Sequence, residues 1–227
     1  MVHIDIEMQR LNKKLLEMWD IVEYQLASGK ELLQADNDEL TERVLKLGKK
    51  VNQYDVKLDS LCENLLALYT PVAVDLRQVL AILKINSNLE RIGDTAEGIA
   101  YYAKKLNKPT NAQLTQELQL FEMYDEALSM FQASRKAFEQ NDTALAKETI
   151  KRDKLLNQIN RKANKVITDF IGQNPDQVSQ CLHLHSIIKK LERSGDQVTN
   201  ISEEIIFYKD AKVIKHKGKL KKKKKDQ

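Results

Sequence analysis

The stretch Leu89-Glu90-Arg91-Ile92-Gly93-Asp94 recurs as Leu191-Glu192-Arg193-Ser194-Gly195-Asp196, 102 residues further along the chain. Upstream, Met18-Trp19-Asp20 matches Met123-Tyr124-Asp125 at an offset of 105 residues, and Asn52-Gln53 matches Asn157-Gln158 at that same offset. A proline-containing turn that is three residues shorter in the second copy would explain the change of offset. Self-similarity at a fixed spacing indicates an internal duplication.

Helical periodicity and turn signals predict six helices, three in each copy. Pro71 disfavours helix in the residue before it, and Asn107 to Asn111, around Pro109, is the best candidate for a linker. The predicted helices span residues 6–33, 39–68, 74–105, 113–139, 143–171 and 177–208.

Short turns place successive helices antiparallel. The sequence therefore predicts an all-α fold of two tandem antiparallel three-helix bundles related by internal duplication. The predicted units are residues 1–106, residues 112–210 and a Lys-rich tail at 211–227 that we expect to be disordered.

The composition suits such a fold, since Gly and Pro are few while 42% of residues are apolar and 31% are charged. The net charge of +4 is a property of the tail, because Lys212 to Asp226 contains nine Lys and one Asp. That segment carries +8, which leaves −4 for the rest of the chain.

We expect a cytoplasmic protein. The first residues lack the apolar run of a signal peptide, and no stretch approaches the roughly 20 apolar residues of a membrane helix. Cys62 and Cys181 fit no metal-binding spacing and are predicted to be buried core thiols, as suits a reducing compartment.

The repeated motif also predicts an acidic helix face. On a helical wheel, Glu90, Asp94 and Glu97 lie opposite the apolar stripe of the third helix, and Glu192, Asp196 and Glu203 do so in the sixth, with Asn200 beside them. The second and fifth helices carry further acids and amides on their polar faces, namely Asn52, Asp55, Asp59, Glu63, Asp153, Asn157, Asn160 and Asn164. Such faces are commonly just solvated surface.

Two features favour a specific site over a solvated surface. The motif recurs nearly verbatim, and each copy keeps a mid-helix Gly that costs roughly 1 kcal/mol relative to Ala. Such a Gly suggests the close approach of a neighbouring backbone or a ligand. Carboxylates four residues apart repel unless a cation lies between them, and oxygen ligands suit Fe, Mn, Mg, Ca or Zn.

The sequence resembles the PhoU family, the cytoplasmic regulators of bacterial phosphate uptake. The resemblance rests on Asp75-Leu76-Arg77, on Ile82 and on both copies of the repeated motif, and it covers residues 5–210. It implies multinuclear metal clusters, commonly of iron or zinc, on the outer faces of the bundles, and regulation rather than catalysis. It also implies a homodimer that acts on a phosphate-sensing histidine kinase and on the ATPase subunit of the phosphate transporter.

The metal ligands that the spacing and the resemblance predict come from both copies, and they are Asp55, Asp59, Glu90, Asp94, Asp153, Glu192, Asp196 and Asn200. The first copy has Gly48 where the second has Asp153, and Gly98 where the second has Asn200. We therefore expect the second copy to hold metal better than the first.

Two other functions remain open. One is a metal-dependent enzyme that uses the carboxylate clusters, although the sequence has no nucleophile paired with a base and no phosphate-cradling Gly-rich loop. The other is a helical scaffold that binds nucleic acid or anionic lipid through the Lys-rich tail. The tail has no interleaved aromatic residues, so we expect no specific nucleic-acid recognition and at most peripheral membrane contact.

His183 and His185 point to different sides of the sixth helix. His183 is predicted to be a packed or interface residue. His185 lies on the face of Glu192, where it is either an ordinary helix residue or a metal ligand.

Overall fold

The computed structural model describes residues 2–106 and 108–214, so most of the predicted Lys-rich tail lies outside the described residues. The described chain is helical throughout, without strands, and a single 3-10 turn at Pro175–Gln177 precedes the last helix. The α-helices are α1 (Val2–Gln34), α2 (Asp38–Tyr69), α3 (Ala73–Lys104), α4 (Ala112–Glu117), α5 (Leu120–Gln140), α6 (Thr143–Gln173) and α7 (Val178–Asp210).

The helices form the two predicted bundles. Helices α1, α2 and α3 pack against one another in the first bundle, and α5, α6 and α7 do so in the second. The predicted fold class, two tandem antiparallel three-helix bundles, is confirmed. None of the described helices combines the length and apolarity needed to cross a bilayer.

Side-chain caps begin the helices that follow tight turns. Asn37 accepts a hydrogen bond from the Leu40 N–H at 2.9 Å, which starts α2. Asp142 accepts hydrogen bonds from the N–H groups of Ala144 and Leu145, both at 2.9 Å, which starts α6 as the sequence predicted. These caps satisfy N–H groups that have no partner within their own helix.

The predicted fourth helix, 113–139, is wrong as a single element, because it is broken between α4 and α5. Gln119 adopts a left-handed conformation with φ of 50°. Leu118 and Leu120, on either side of it, are both buried. In a continuous helix these two side chains would lie about 200° apart around the axis, so the break lets both reach the core.

The two bundles share a core through α1 and α5. Trp19 of α1 is fully buried, and its ring centroid lies 5.9 Å from that of Phe131 and 5.8 Å from that of Phe138 on α5. Its repeat counterpart, Tyr124 of α5, donates a hydrogen bond to the Leu26 carbonyl of α1 at 2.7 Å. The two equivalent aromatic residues therefore join the repeats from opposite sides.

Helices α3 and α7, which carry the repeated motif, run antiparallel along the interface between the bundles. Arg77 Nε donates to the Tyr208 carbonyl at 3.3 Å near one end of the interface. At the other end the rings of Tyr102 and His183 lie 5.7 Å apart. The two motifs consequently meet near the middle of this helix pair, and His183 is an interface residue as predicted.

Candidate functional site

Each bundle has a polar seam between its last two long helices. The first seam, between α2 and α3, holds Asp55, Asp59, Glu90, Asp94 and Glu97. The second seam, between α6 and α7, holds Asp153, Asn157, Asn160, Glu192 and Asp196.

Carboxylates from both helices meet in the first seam. Burial raises the pKa of Glu90 first, and the charges of Asp94 and Asp55 raise it further. Burial, Asp94 and Glu90 likewise raise the pKa of Glu97. Because Asp55 lies on α2 and Glu90 on α3, the repulsion between them acts across the seam.

A buried amide ties the two walls of the first seam together. Asn86 of α3 is fully buried, and its Nδ2 donates to the Asp55 carbonyl at 2.9 Å and to Asp59 Oδ1 at 3.0 Å. Asp59 is therefore held by a hydrogen bond from α3. The sequence did not single out Asn86, since a lone Asn within an apolar stripe carries no distinctive signal.

Gly48 creates space in the first seam for a carboxylate from the opposite helix. A Cβ at Gly48 would collide with the carboxylate of Glu97. In the second copy, Asp153 occupies the position equivalent to Gly48, while Thr199 occupies the position equivalent to Glu97. The first seam thus takes from α3 the carboxylate that the second seam takes from α6.

Because Glu97 supplies a carboxylate where Gly48 has no side chain, Gly48 alone does not leave the first seam short of a metal ligand. The sequence places Glu97 on the acidic face but does not include it among the predicted ligands. The sequence does contain an indication of this role. Where the first copy has Gly48 and Glu97, the second copy has Asp153 and Thr199, so each copy has one carboxylate at these two positions. A helical wheel does not show which side chain of a neighbouring helix fills the space beside a Gly.

Asp153 has a strongly perturbed carboxyl in the second seam. Burial and the charges of Asp196 and Glu192 raise its pKa to about 6, against a smaller opposing effect of Asn157, whose amide donates to the Asp153 carboxylate. Its Oδ1 atom is buried and has no hydrogen-bond partner within the described part of the chain.

Glu192 shares the second seam with Asp153. Burial and Asp196 raise the pKa of Glu192, and a hydrogen bond from Asn160 partly offsets that rise. Both seams therefore hold repelling, partly desolvated carboxyls.

The prediction that these acids point away from the core holds for Asp94 and Asp196, which are exposed. It is wrong in degree for five other acids of the predicted polar faces, which are half-buried. These acids are Glu90, Glu97, Asp153, Glu192 and Glu203.

The motif glycines allow close packing of the helices in each bundle. A Cβ at Gly195 would collide with Leu156 and would lie 2.9 Å from Asp153 Oδ1. A Cβ at Gly93 would lie 3.2 Å from Val51 of α2. The predicted close approach is therefore made by side chains of the adjacent helix.

Asn200 lies at the interface between the bundles. Its Nδ2 donates to Asn88 Oδ1 of α3 at 3.3 Å. Its repeat counterpart is Gly98, where a Cβ would collide with the end of the Lys190 side chain from α7. Gly98 therefore makes room for a cation from the other bundle.

A metal ion suits the chemistry of the seams, which offer oxygen donors including the unpartnered Asp153 Oδ1. In the described residues no group of three or more His, Cys, Asp or Glu side chains is already gathered closely enough to hold an ion. Binding would therefore require the side chains of a seam to rotate towards one another.

The two bundles each match a known protein domain. The PhoU domain matches residues 15–103 and again residues 120–205, once in each bundle. The chain belongs to the PhoU family.

Similar PhoU proteins match this chain over most of its length. The "Phosphate-specific transport system accessory protein PhoU homolog" of Aquifex aeolicus is 28% identical over 210 residues, which cover 92% of this chain and 94% of the relative. Homolog 1 of Thermotoga maritima is 27% identical over 215 residues, or 94% of this chain and 92% of the relative.

Solved PhoU structures have the same fold. PhoU from Pseudomonas aeruginosa superposes with a TM-score of 0.85 at 26% identity, covering 92% of this chain and 99% of that structure. The phosphate transport system regulatory protein PhoU from Streptococcus pneumoniae superposes with a TM-score of 0.81 at 27% identity, covering 93% and 99%.

Proposed function

We propose that this PhoU-family protein is a cytoplasmic, non-catalytic regulator that represses phosphate uptake and the phosphate-starvation response when phosphate is plentiful. The observation that carries the proposal is the PhoU domain in both bundles, with relatives named as accessory proteins of phosphate-specific transport. In this proposal a homodimer docks on a phosphate-sensing histidine kinase and on the ATPase subunit of the phosphate transporter.

The state of the cysteines supports a non-catalytic role. Cys62 and Cys181 are both buried, and burial raises the pKa of the Cys62 thiol to about 12. A thiol that stays protonated is a poor nucleophile, because the thiolate is the reactive form.

We further propose that the two seams bind metal, with iron or zinc as the first candidates and Mn, Mg or Ca as alternatives. Ligands in the first seam would be Asp55, Asp59, Glu90, Asp94 and Glu97. Ligands in the second would be Asp153, Glu192 and Asp196, with Asn200 a more distant candidate because it binds Asn88. A bound cation would neutralise the repulsion that raises the pKa values of Glu90, Glu97, Asp153 and Glu192.

The test of the regulatory proposal is a deletion strain carrying a reporter of a phosphate-starvation promoter. In high phosphate the reporter should be strongly expressed without the protein and repressed again when the wild-type gene is returned. An equally repressed reporter in the deletion and parent strains would refute the proposal. A reporter that depends on the protein only when the kinase gene is present would support action through that kinase.

A further inference from the structure

A pocket of about 420 Å³ lies between the two bundles, where α3 and α7 cross near the repeated motifs. It is distinct from the seams, which lie within each bundle, and Asp94 is the one residue that it shares with them. Its lining residues are Arg91, Asp94, Thr95, Lys190, Arg193 and Gln197.

The pocket is lined by equivalent residues of the two copies. Adding 102 to a residue number of α3 gives its counterpart on α7, so Arg91 and Arg193 are equivalent residues of the two motifs. Asn200 of α7 donates a hydrogen bond to Asn88 of α3, whereas the equivalent pair of positions places the Lys190 side chain over Gly98. The duplication therefore brings two equivalent arginines to one pocket, and the difference between the copies adds a lysine.

The two arginines are available to a ligand. Neither the Arg91 nor the Arg193 guanidinium makes a hydrogen bond or an ion pair within residues 2–106 and 108–214. The positive charge of each arginine acts on the glutamate directly before it in the sequence, where it opposes the rise of the pKa that burial causes. By contrast, Arg135 and Arg152 are bound to carboxylates of neighbouring helices.

Lys190 is held beside the arginines by its packing. Its side chain lies over Gly98, and its Nζ lies 5.9 Å from the centre of the Tyr102 ring. Three cations against the single carboxylate of Asp94 give the pocket lining a formal charge of +2. This balance suits a doubly charged anion.

The lining also contains hydrogen-bond acceptors. The Asp94 carboxylate accepts only, and Gln197 Oε1 is buried without a hydrogen-bond partner within the described chain. The Thr95 hydroxyl donates to the Arg91 carbonyl at 2.9 Å, so its proton is already used. A ligand that suits the pocket therefore accepts from the arginines and the lysine and also donates one hydrogen bond.

We propose that this pocket binds inorganic phosphate as hydrogen phosphate, the dianion that keeps one hydroxyl. Its oxygens accept charge-assisted hydrogen bonds from Arg91, Arg193 and Lys190, and its hydroxyl donates to Asp94 or to Gln197 Oε1. Sulfate and the dianion of a phosphomonoester have no such hydroxyl. The choice of phosphate rests on the proposed function, whereas the cationic character of the pocket does not.

The test is calorimetric titration of the EDTA-treated, full-length protein with phosphate, sulfate and glycerol 3-phosphate near pH 8, where both phosphates are dianions. Physiological ionic strength screens binding to exposed charges, including the Lys-rich end of the chain. We expect phosphate to bind more tightly than either competitor. Binding of sulfate or of glycerol 3-phosphate as tight as that of phosphate, or tighter, would overturn the assignment to free phosphate.

Substitutions of pocket residues test whether phosphate binds in this pocket. Arg91→Gln/Arg193→Gln should weaken phosphate binding by about tenfold or more for each arginine, because charge-assisted hydrogen bonds are lost. Gly98→Ala should weaken it by displacing Lys190. Arg161→Gln, which alters an exposed arginine of α6 outside the pocket, should bind phosphate like the wild type.

Unchanged phosphate affinity in the double arginine variant, with a wild-type thermal melt, would refute the pocket and assign any binding elsewhere on the chain. Absence of phosphate binding by the wild type would refute it as well. Neither result would affect the reporter test of the proposed function, so the two proposals fail separately.

Discussion

The Glu97 carboxylate occupies the space beside the α2 backbone that a side chain on Gly48 would fill. The second bundle reverses this arrangement in sequence, with Asp153 of α6 at the position of Gly48 and Thr199 of α7 at the position of Glu97. Each seam thus contains such a carboxylate, which comes from α3 in the first bundle and from α6 in the second. The two copies therefore differ less in the carboxylates that they offer to a metal than a comparison of Gly48 with Asp153 alone indicates.

This relationship predicts that positions 48 and 97 are energetically coupled. Gly48→Ala removes a mid-helix glycine and should stabilise the protein by up to about 1 kcal/mol through helix propensity. In the wild type the new Cβ displaces Glu97, so the gain should be smaller than in a Glu97→Thr background. Free energies of unfolding in urea for the four proteins of this cycle measure the coupling. An identical gain in both backgrounds would mean that Glu97 does not fill the space.

The motif glycine of the second bundle should not tolerate a side chain. Gly195→Ala forces a Cβ into Leu156 and towards Asp153, so overpacking should destabilise the protein by about 1–3 kcal/mol. Gly172→Ala is the matched control, since nothing lies within 4 Å of a Cβ there. It should stabilise the protein by up to about 1 kcal/mol in the same urea experiment. Stabilisation by both substitutions would contradict the close packing at Gly195.

The raised pKa of Asp153 predicts a pH dependence of stability in the metal-free protein. Its folded pKa of about 6 exceeds the ordinary value of 3.8, so the folded state binds more protons between these pH values. Stability should therefore fall as the pH rises through this window. Because the group is only partly buried, we expect the effect to be roughly 1 kcal/mol.

Asp153→Asn should remove this pH dependence. It should stabilise the EDTA-treated protein above the folded pKa and have little effect below the ordinary value. Urea unfolding on either side of the window measures the difference, with exposed Asp169→Asn on the same helix as the control. Equal effects of Asp153→Asn at both pH values would contradict the assignment.

Metal content tests the seams separately. Elemental analysis of the purified protein should show less metal after Glu192→Gln/Asp196→Asn, and also less after Glu90→Gln/Asp94→Asn. Asp169→Asn should retain the wild-type content. Unchanged metal in both seam variants would exclude the seams, whereas a loss confined to the second would show that Glu97 does not compensate for Gly48.

Much of the architecture could be predicted from the sequence because its determinants are local. The repeated motif indicates the duplication, and Pro71 indicates the end of α2. The break at Gln119 was missed, since its cause is the burial of both Leu118 and Leu120 against the folded core.

The site could be predicted only in part, for a related reason. A helical wheel gives the face on which Glu97 or Lys190 lies but not the residue that it meets on another helix. The pairs Gly48 with Glu97 and Gly98 with Lys190 depend on that packing. The convergence of Arg91 and Arg193 likewise depends on the antiparallel crossing of α3 and α7.

The initial rate of radiolabelled phosphate uptake, measured in cells grown in high phosphate, shows directly whether the protein represses phosphate uptake. Depleting the protein should raise this rate, and returning the wild-type gene should restore the low rate. An uptake rate that stays the same with and without the protein would contradict its role as a repressor of phosphate uptake.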